Sequence, residues 1–414
     1  MKAFSYKSTT LCANDIEITD LVKEYESPLY VYSQKTIEDN YLEFKNAFKS
    51  NSHLICYAVK ANSNLAILNI LASLGSGFDV VSIGELKRVL KAGGDSAKCV
   101  FSGVGKTKEE IIFALEQKIH CFNIESEQEL KLIANIAKDM NLVAPISIRV
   151  NPNVDAKTHP AISTGLAKNK FGIDILKVVD LYKIANNDKY LDIQGVDCHI
   201  GSQITNKQPF LDALDKVLDL VSKLSKENIA IKHLDLGGGV GIDYQDNQTI
   251  NIADYIADIE AKTKLKIILE PGRAIVGNAG IFVTKVEFIK QNTTKNFAIV
   301  DGAMNDLLRP SLYDAYHRVL PVKLKDSGIN GNWDIVGPIC ETGDYFAKNR
   351  NLTLETDDLL AIMDAGAYGF TMASNYNTRP MVAEVLVLNS KSKLIRKRQT
   401  IEELFSLEDA NCIK

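Results

Sequence analysis

HLICYAVKANSNLAILNILASLGSGFDVVSI, residues 53–83, carries an apolar run at each end and a helix-spaced stretch between them. The runs 53–61 (HLICYAVKA) and 77–83 (GFDVVSI) are nearly continuous in apolar character, as strands are when helices cover both faces of a parallel sheet. Residues 63–74 repeat their apolar positions at helical spacing. The segment therefore predicts a strand–helix–strand unit. Working outward, strand candidates recur at 99–103 (CVFSG), 119–125 (IHCFNIE), 145–151 (PISIRVN), 193–200 (IQGVDCHI), 231–239 (IKHLDLGGG) and 266–273 (KIILEPGR). Helical patterns fall at 84–92, 107–116, 126–138, 210–226 and 250–262. Eight strands in alternation with helices predict an α/β protein, a (β/α)8 barrel rather than an open sheet.

Beyond residue 280 the pattern changes. FVTKVEFIK, FAIVDGAMN, LLAIMDAGAYGF and MVAEVLVLN read as strands with little helix between them, which predicts a mostly β domain. PLYVYS (28–33) is also strand-like and precedes the first barrel strand. The expected organisation is a barrel over 33–280 and a β domain built from 1–32 and 281–414.

Composition narrows the function classes. The 414 residues are 46% hydrophobic and 24% charged, with a formal net charge of -4. A balanced surface of this kind gives no reason to expect nucleic acid or an anionic membrane as partner. No run of 18 apolar residues is present, and MKAFSY at the start lacks the pattern of a secretory signal; the expected compartment is the cytoplasm. Seven cysteines without a CxxC spacing predict neither a disulfide framework nor a zinc site, and no metal is expected. Most of them read as small buried hydrophobes.

In a barrel of this type chemistry gathers at the C-terminal strand ends. Here those ends hold Lys60, then His199 leading into Gly201-Ser202-Gln203, then Gly237-Gly238-Gly239, then Glu270-Pro271-Gly272-Arg273. Most lysines are solvated surface charges. A lysine closing an apolar strand is partly buried, which favours the neutral, nucleophilic amine. Such an amine suits a Schiff base, with pyridoxal phosphate or with a carbonyl substrate directly. The triple glycine reads as a phosphate cradle, as the glycine loop of a methyltransferase, or as a tight turn without a ligand. It is not a dinucleotide fingerprint, because no third glycine completes the spacing. The Pro-Gly-Arg that follows strand eight adds weight to the phosphate reading, since Arg273 can meet a phosphate or a carboxylate. Glu270 is placed to hold a pyridine nitrogen protonated, or simply to pair with Arg273. His199 is placed to stack on a ring, or to serve as a core histidine.

These residues together resemble the pyridoxal-phosphate-dependent diaminopimelate decarboxylases, within the larger group of alanine-racemase-like barrel enzymes. YAVKAN (57–62), HIGSQ (199–203), DLGGG (235–239) and EPGR (270–273) carry the resemblance. It extends through FDVVSIGEL (78–86), RVNP (149–152), ISTGLAKNKFGI (162–173) and the β domain. The resemblance implies that Lys60 binds the cofactor covalently and that His199 stacks on its ring. It places Gly239, Gly272, Arg273, Ser202 and Tyr368 around the phosphate and Glu270 at the ring nitrogen. RPSLYDAYH (309–317) is similar to the family's substrate segment, with Arg309 and Tyr313 on carboxylates and Arg273 joining them. CETGD (340–344) is similar to the segment that enters the partner's site in a homodimer, with Cys340 handling the proton and Glu341 the distal ammonium. Thr342 stands where that segment is expected to have serine, and both supply a hydroxyl.

The implied reaction is decarboxylation of meso-diaminopimelate to lysine, the last step of lysine biosynthesis. A decarboxylase of ornithine, lysine or arginine needs only an acid at the distal end of its pocket, whereas Arg309 supplies a cation for a second carboxylate. Carboxynorspermidine decarboxylases use the same fold. An amino acid racemase is expected to place arginine at the ring nitrogen, so Glu270 argues against it. Small cofactor-binding barrel proteins lack so large a β domain.

Overall fold

The computed structural model describes residues 3–50, 53–155, 169–245 and 249–410. Of the segment 162–173, residues 162–168 lie outside these, as does Cys412. The chain divides into two compact units, Glu38–Asp243 with Gln248–Ile275, and Met1–Ile37 with Tyr244–Asn247 and Val276–Lys414.

The first unit is a closed barrel. Its strands are His53–Ala58, Gly77–Val80, Cys99–Phe101, Cys121–Ile124, Ala144–Asn151, Leu191–Asp197, His233–Asp235 and Lys266–Leu269. Each pairs in parallel with the next, and Lys266–Leu269 returns to His53–Ala58 to close the ring. The expected (β/α)8 architecture is what forms. A short additional strand, Ile173–Asp174, pairs with the end of the fifth.

Side-chain caps start five of the helices that connect the barrel strands. Asn64, Ser82, Thr107, Ser126 and Asn251 accept backbone N–H groups at the first turns of their helices, satisfying donors that a helix start otherwise leaves unpaired. Thr107 and Glu110 complete a reciprocal capping box. Inside the barrel, Cys56, Val100, Cys121 and Ile268 form an apolar cluster. Asp79, Asn123, Ser147, Arg149, Asp197, Asp235 and Glu270 are buried polar residues of the same strands and their ends.

The strands are shorter than their apolar runs suggest. Lys60 does not end a strand; it sits in a 3-10 turn, Val59–Ala61, directly after one. His199 and Gly237 likewise fall just past the sixth and seventh strands. The chain leaves the sheet where glycines at positive φ, Gly237 (+66°) and Gly239 (+104°), turn it.

In the second unit Leu29–Ser33 lies in a sheet, parallel to Ala383–Leu388 and antiparallel to Gly280–Gln291. PLYVYS therefore belongs to the β unit. The sheet runs outward through Asn296–Val300, Ile329–Val336 and Tyr345–Leu354. Leu359–Ile362 pairs with Gly280–Gln291 and with Val319–Pro321. Two expected strands are shorter than read: FAIVDGAMN leaves the sheet at Val300, and LLAIMDAGAYGF leaves it at Ile362. Asp364 and Tyr368 then adopt positive φ (+59° and +56°), a backbone that no strand continues. Leu29, Val31, Ile281, Val283, Ala361, Val385 and Val387 pack one core with Leu11, Ile18 and Leu21.

Candidate active site

At the barrel rim, Lys60 Nζ donates to Asp79 Oδ2 at 2.5 Å. The Asp79 side chain is fully buried, whereas 38% of the Lys60 side chain remains exposed. The amine is thus held by a specific carboxylate rather than sheathed by apolar groups, which differs from the expected setting. Gly272 packs beside it, where an added Cβ would lie 3.0 Å from the Cβ atoms of Ala58 and Ala61.

The glycine turn is a space requirement at every position. A Cβ on Gly237 would fall 2.6 Å from His199 Nδ1, on Gly238 2.2 Å from the Glu270 carbonyl oxygen, and on Gly239 2.4 Å from the Gly201 carbonyl oxygen. The turn therefore knits the ends of strands six, seven and eight together. The Gly238 N–H donates to His199 Nδ1 at 3.2 Å, which leaves the ring proton on Nε2. Burial, with the cations Arg149 and Lys60 nearby, holds the half-buried imidazole well below its usual pKa, so it is neutral. Arg273 is buried and donates from Nη2 to Ser202 Oγ at 3.1 Å.

Glu270 is 5% exposed. Burial pushes its carboxyl well above the usual range, and Asp235, Asp79 and Asp197 push the same way while Lys60 opposes them. Burial likewise raises Asp235 to about 6, although the Gly237 N–H that donates to it favours the anion. Asp197 is raised too. Arg149 pairs with Glu125 at 2.5 Å and approaches Asp197 at 3.8 Å. Asp79 Oδ1, Asp197 Oδ1 and Asp235 Oδ2 are buried without a hydrogen-bond partner. Such a set is electrostatically incomplete, and a positively charged ring nitrogen at Glu270 would relieve it. The glycine cradle, the amine and this acidic floor all fit pyridoxal phosphate.

The β unit positions the remaining candidates. Arg309 is buried at the start of the helix Arg309–Tyr313, and Tyr313, at its end, is half-buried. Ser311 Oγ donates to the Gly343 carbonyl at 2.6 Å, which ties this helix to the CETGD loop. Asp344 builds that loop by accepting the Met304 and Ile339 N–H groups, each at 2.7 Å. Cys340 is exposed, unlike Cys12, Cys56, Cys99, Cys121 and Cys198, which are buried. Glu341 is exposed and accepts a hydrogen bond from the Tyr376 hydroxyl. Tyr368 is half-buried. The structure thus gathers Lys60, His199, Ser202, Gly239, Glu270, Gly272 and Arg273 on the barrel rim, and places Arg309, Tyr313, Cys340, Glu341 and Tyr368 in the β unit.

Asp79, Arg149, Asp197 and Asp235 were not singled out from sequence. The available signal was a charge inside an apolar run, in GFDVV, ISIRV, GVDC and HLDL.

Residues 34–277, more than half of the chain, match the family model for the pyridoxal-dependent decarboxylases, specifically their pyridoxal binding domain. The chain belongs to this family. As a pyridoxal-dependent decarboxylase it takes pyridoxal phosphate as cofactor. It is 51% identical over 413 residues to the diaminopimelate decarboxylase of Vibrio cholerae, covering 99% of both chains. A solved diaminopimelate decarboxylase from M. jannaschii, in complex with L-lysine, superposes with a TM-score of 0.93 at 40% identity, covering 99% of this chain and 98% of that one. The Helicobacter pylori enzyme, also complexed with L-lysine, gives 0.91 at 44% identity, over 94% and 98%.

Proposed function

We propose that this chain decarboxylates meso-2,6-diaminopimelate to L-lysine and carbon dioxide with pyridoxal phosphate, the reaction that completes lysine biosynthesis. The observation that carries this reading is the joint placement of an amine, a glycine cradle and a buried carboxyl on one barrel rim. Identity of about one half to diaminopimelate decarboxylases, end to end, supports the substrate.

Lys60 carries the cofactor through Nζ, and His199 lies on the ring face. Gly239, Gly272 and Arg273 hold the phosphate through backbone N–H groups, with Ser202 and Tyr368 beside it. Glu270 meets the ring nitrogen. When bound, the cofactor supplies the electron sink that takes up the pair left by departing carbon dioxide. Arg309 and Tyr313, with Arg273 on the substrate side, bind carboxylate, and Glu341 receives the distal ammonium. Holding both ends of the substrate fixes which carboxylate is lost. Cys340 Sγ delivers one proton to the carbon that has lost its carboxylate, so one proton is taken up for each carbon dioxide released.

The protein works as a cytoplasmic homodimer, with the exposed Cys340–Glu341 segment completing the partner's site. Among the described residues no helix is long and apolar enough to cross a membrane. Purified protein supplied with pyridoxal phosphate and meso-diaminopimelate should form lysine and carbon dioxide one for one. Lys60→Ala should form neither; equal product from that variant contradicts the reading.

A further inference from the structure

In the β unit, Arg309 meets two neutral side chains, His317 and Tyr244. Arg309 is 7% exposed, and His317, eight residues on in the same RPSLYDAYH segment, is 0% exposed. His317 Nδ1 lies 2.7 Å from the Met363 carbonyl oxygen. A carbonyl only accepts, so the ring proton sits on Nδ1 and Nε2 keeps its lone pair. Arg309 Nη1 stands 2.8 Å from that Nε2, and a guanidinium only donates. The Tyr244 ring completes the mounting. Its centroid is 4.7 Å from the Arg309 guanidinium carbon, and it meets the His317 ring edge-on at 5.4 Å and 80°. The guanidinium is thus fixed by an acceptor at one edge and by an aromatic face. Neither holder is an anion, so neither neutralises the charge.

We propose that His317 is a positioning residue that aims Arg309 at the distal carboxylate of the substrate and thereby sets the preference for an amino acid over a plain diamine. The inference rests on the reading of Arg309 as a carboxylate ligand. An aspartate at 317 would orient the guanidinium equally well but would cancel the charge that recognition needs. The neutral imidazole orients without cancelling, and Met363 fixes the tautomer that makes this possible.

The reaction itself supplies the probes. Decarboxylation removes one carboxylate of diaminopimelate, and lysine keeps the one at the far end. 1,5-Diaminopentane has the same two amines and no carboxylate. The ratio of their affinities for the holoenzyme, read from the change in cofactor absorbance, therefore reports carboxylate recognition alone. His317→Leu removes both ring bonds, and lysine binding should weaken roughly ten- to a hundredfold, the range for losing a hydrogen bond to a charged group. Diaminopentane binding should stay near the wild-type value. His317→Gln, a neutral amide that can donate to Met363 and accept from Arg309, should recover most of the lysine affinity. The KM for meso-diaminopimelate should follow lysine affinity, with kcat changed less. His317→Phe, which keeps an aromatic ring against Tyr244, replaces the Leu variant if that one loses the cofactor band.

The arms separate the two layers of the argument. If Arg309→Gln leaves the lysine-to-diaminopentane ratio at its wild-type value, the reading of Arg309 has failed. If Arg309→Gln abolishes the preference while His317→Leu or His317→Phe preserves it, the positioning role is overturned. Equal loss of both ligands in every His317 variant, Gln included, makes His317 purely structural and overturns it as well.

Discussion

Gly238→Ala is the sharpest test of the rim geometry. The added methyl would sit 2.2 Å from the Glu270 carbonyl oxygen and 3.1 Å from its carbonyl carbon. A comfortable carbon–oxygen approach is about 3.3–3.6 Å, so the two backbones must part by about 1 Å. Both are backbone, and no side chain can swing aside. Overpacking of this kind costs about 1–3 kcal/mol of stability. On the proposed function the larger effect falls on activity, because the same displacement would carry Glu270 away from the ring nitrogen and open the phosphate cradle. A misplacement of about 1 Å lowers rate on the order of a hundredfold. Turnover, measured as carbon dioxide release, should fall by about that factor, and reconstitution of the apoenzyme should need more pyridoxal phosphate. Gly105→Ala is the control, since nothing lies within 4 Å of the Cβ it would add, and it should leave turnover unchanged. A Gly238→Ala enzyme with wild-type turnover and cofactor affinity would refute the claim that this glycine is required for space.

Three further outcomes follow from named residues. Lys60→Ala should lose the yellow covalent form of the enzyme; a retained band in the absorbance spectrum places the cofactor elsewhere. Cys340→Ala should keep that band but slow turnover, and mixing it with Lys60→Ala should restore activity through hybrid dimers with one intact site; no recovery despite subunit exchange argues against shared sites. His233, 1% exposed, is lowered to about 3 by burial and by the nearby His120 and Lys266, while burial lowers His120 to about 4. Between pH 6.5 and those values the unfolded chain binds protons that the folded chain does not, so stability falls as pH falls, by about 1.4 kcal/mol per unit for His233. Urea midpoints of the wild type and His233→Gln between pH 7 and 5 should therefore converge as the pH drops; parallel curves contradict the assignment.

The barrel was legible because its strands are covered on both faces and read as apolar runs. The strand ends were less so: apolar character continues through Val59 and Ala61, so Lys60 read as strand although the chain had already turned. Ile329–Val336 and Tyr345–Leu354 were missed for the opposite reason. INGNWDIV and YFAKNRNLTL are rich in Asn, Lys and Arg, and most of their residues are not buried, so their pairing with each other leaves little apolar trace. The acidic floor was hidden by distance along the chain. Asp79, Asp197 and Asp235 each look like a lone charge in an apolar run, and only barrel closure makes them neighbours of Glu270.

The most direct measurement is carbon dioxide release across meso-diaminopimelate, lysine, ornithine, arginine and carboxynorspermidine. Turnover of meso-diaminopimelate, with kcat/KM at least about a hundredfold above the others, is the outcome expected when an aimed arginine must find a distal carboxylate. Comparable release from lysine or ornithine would contradict the account.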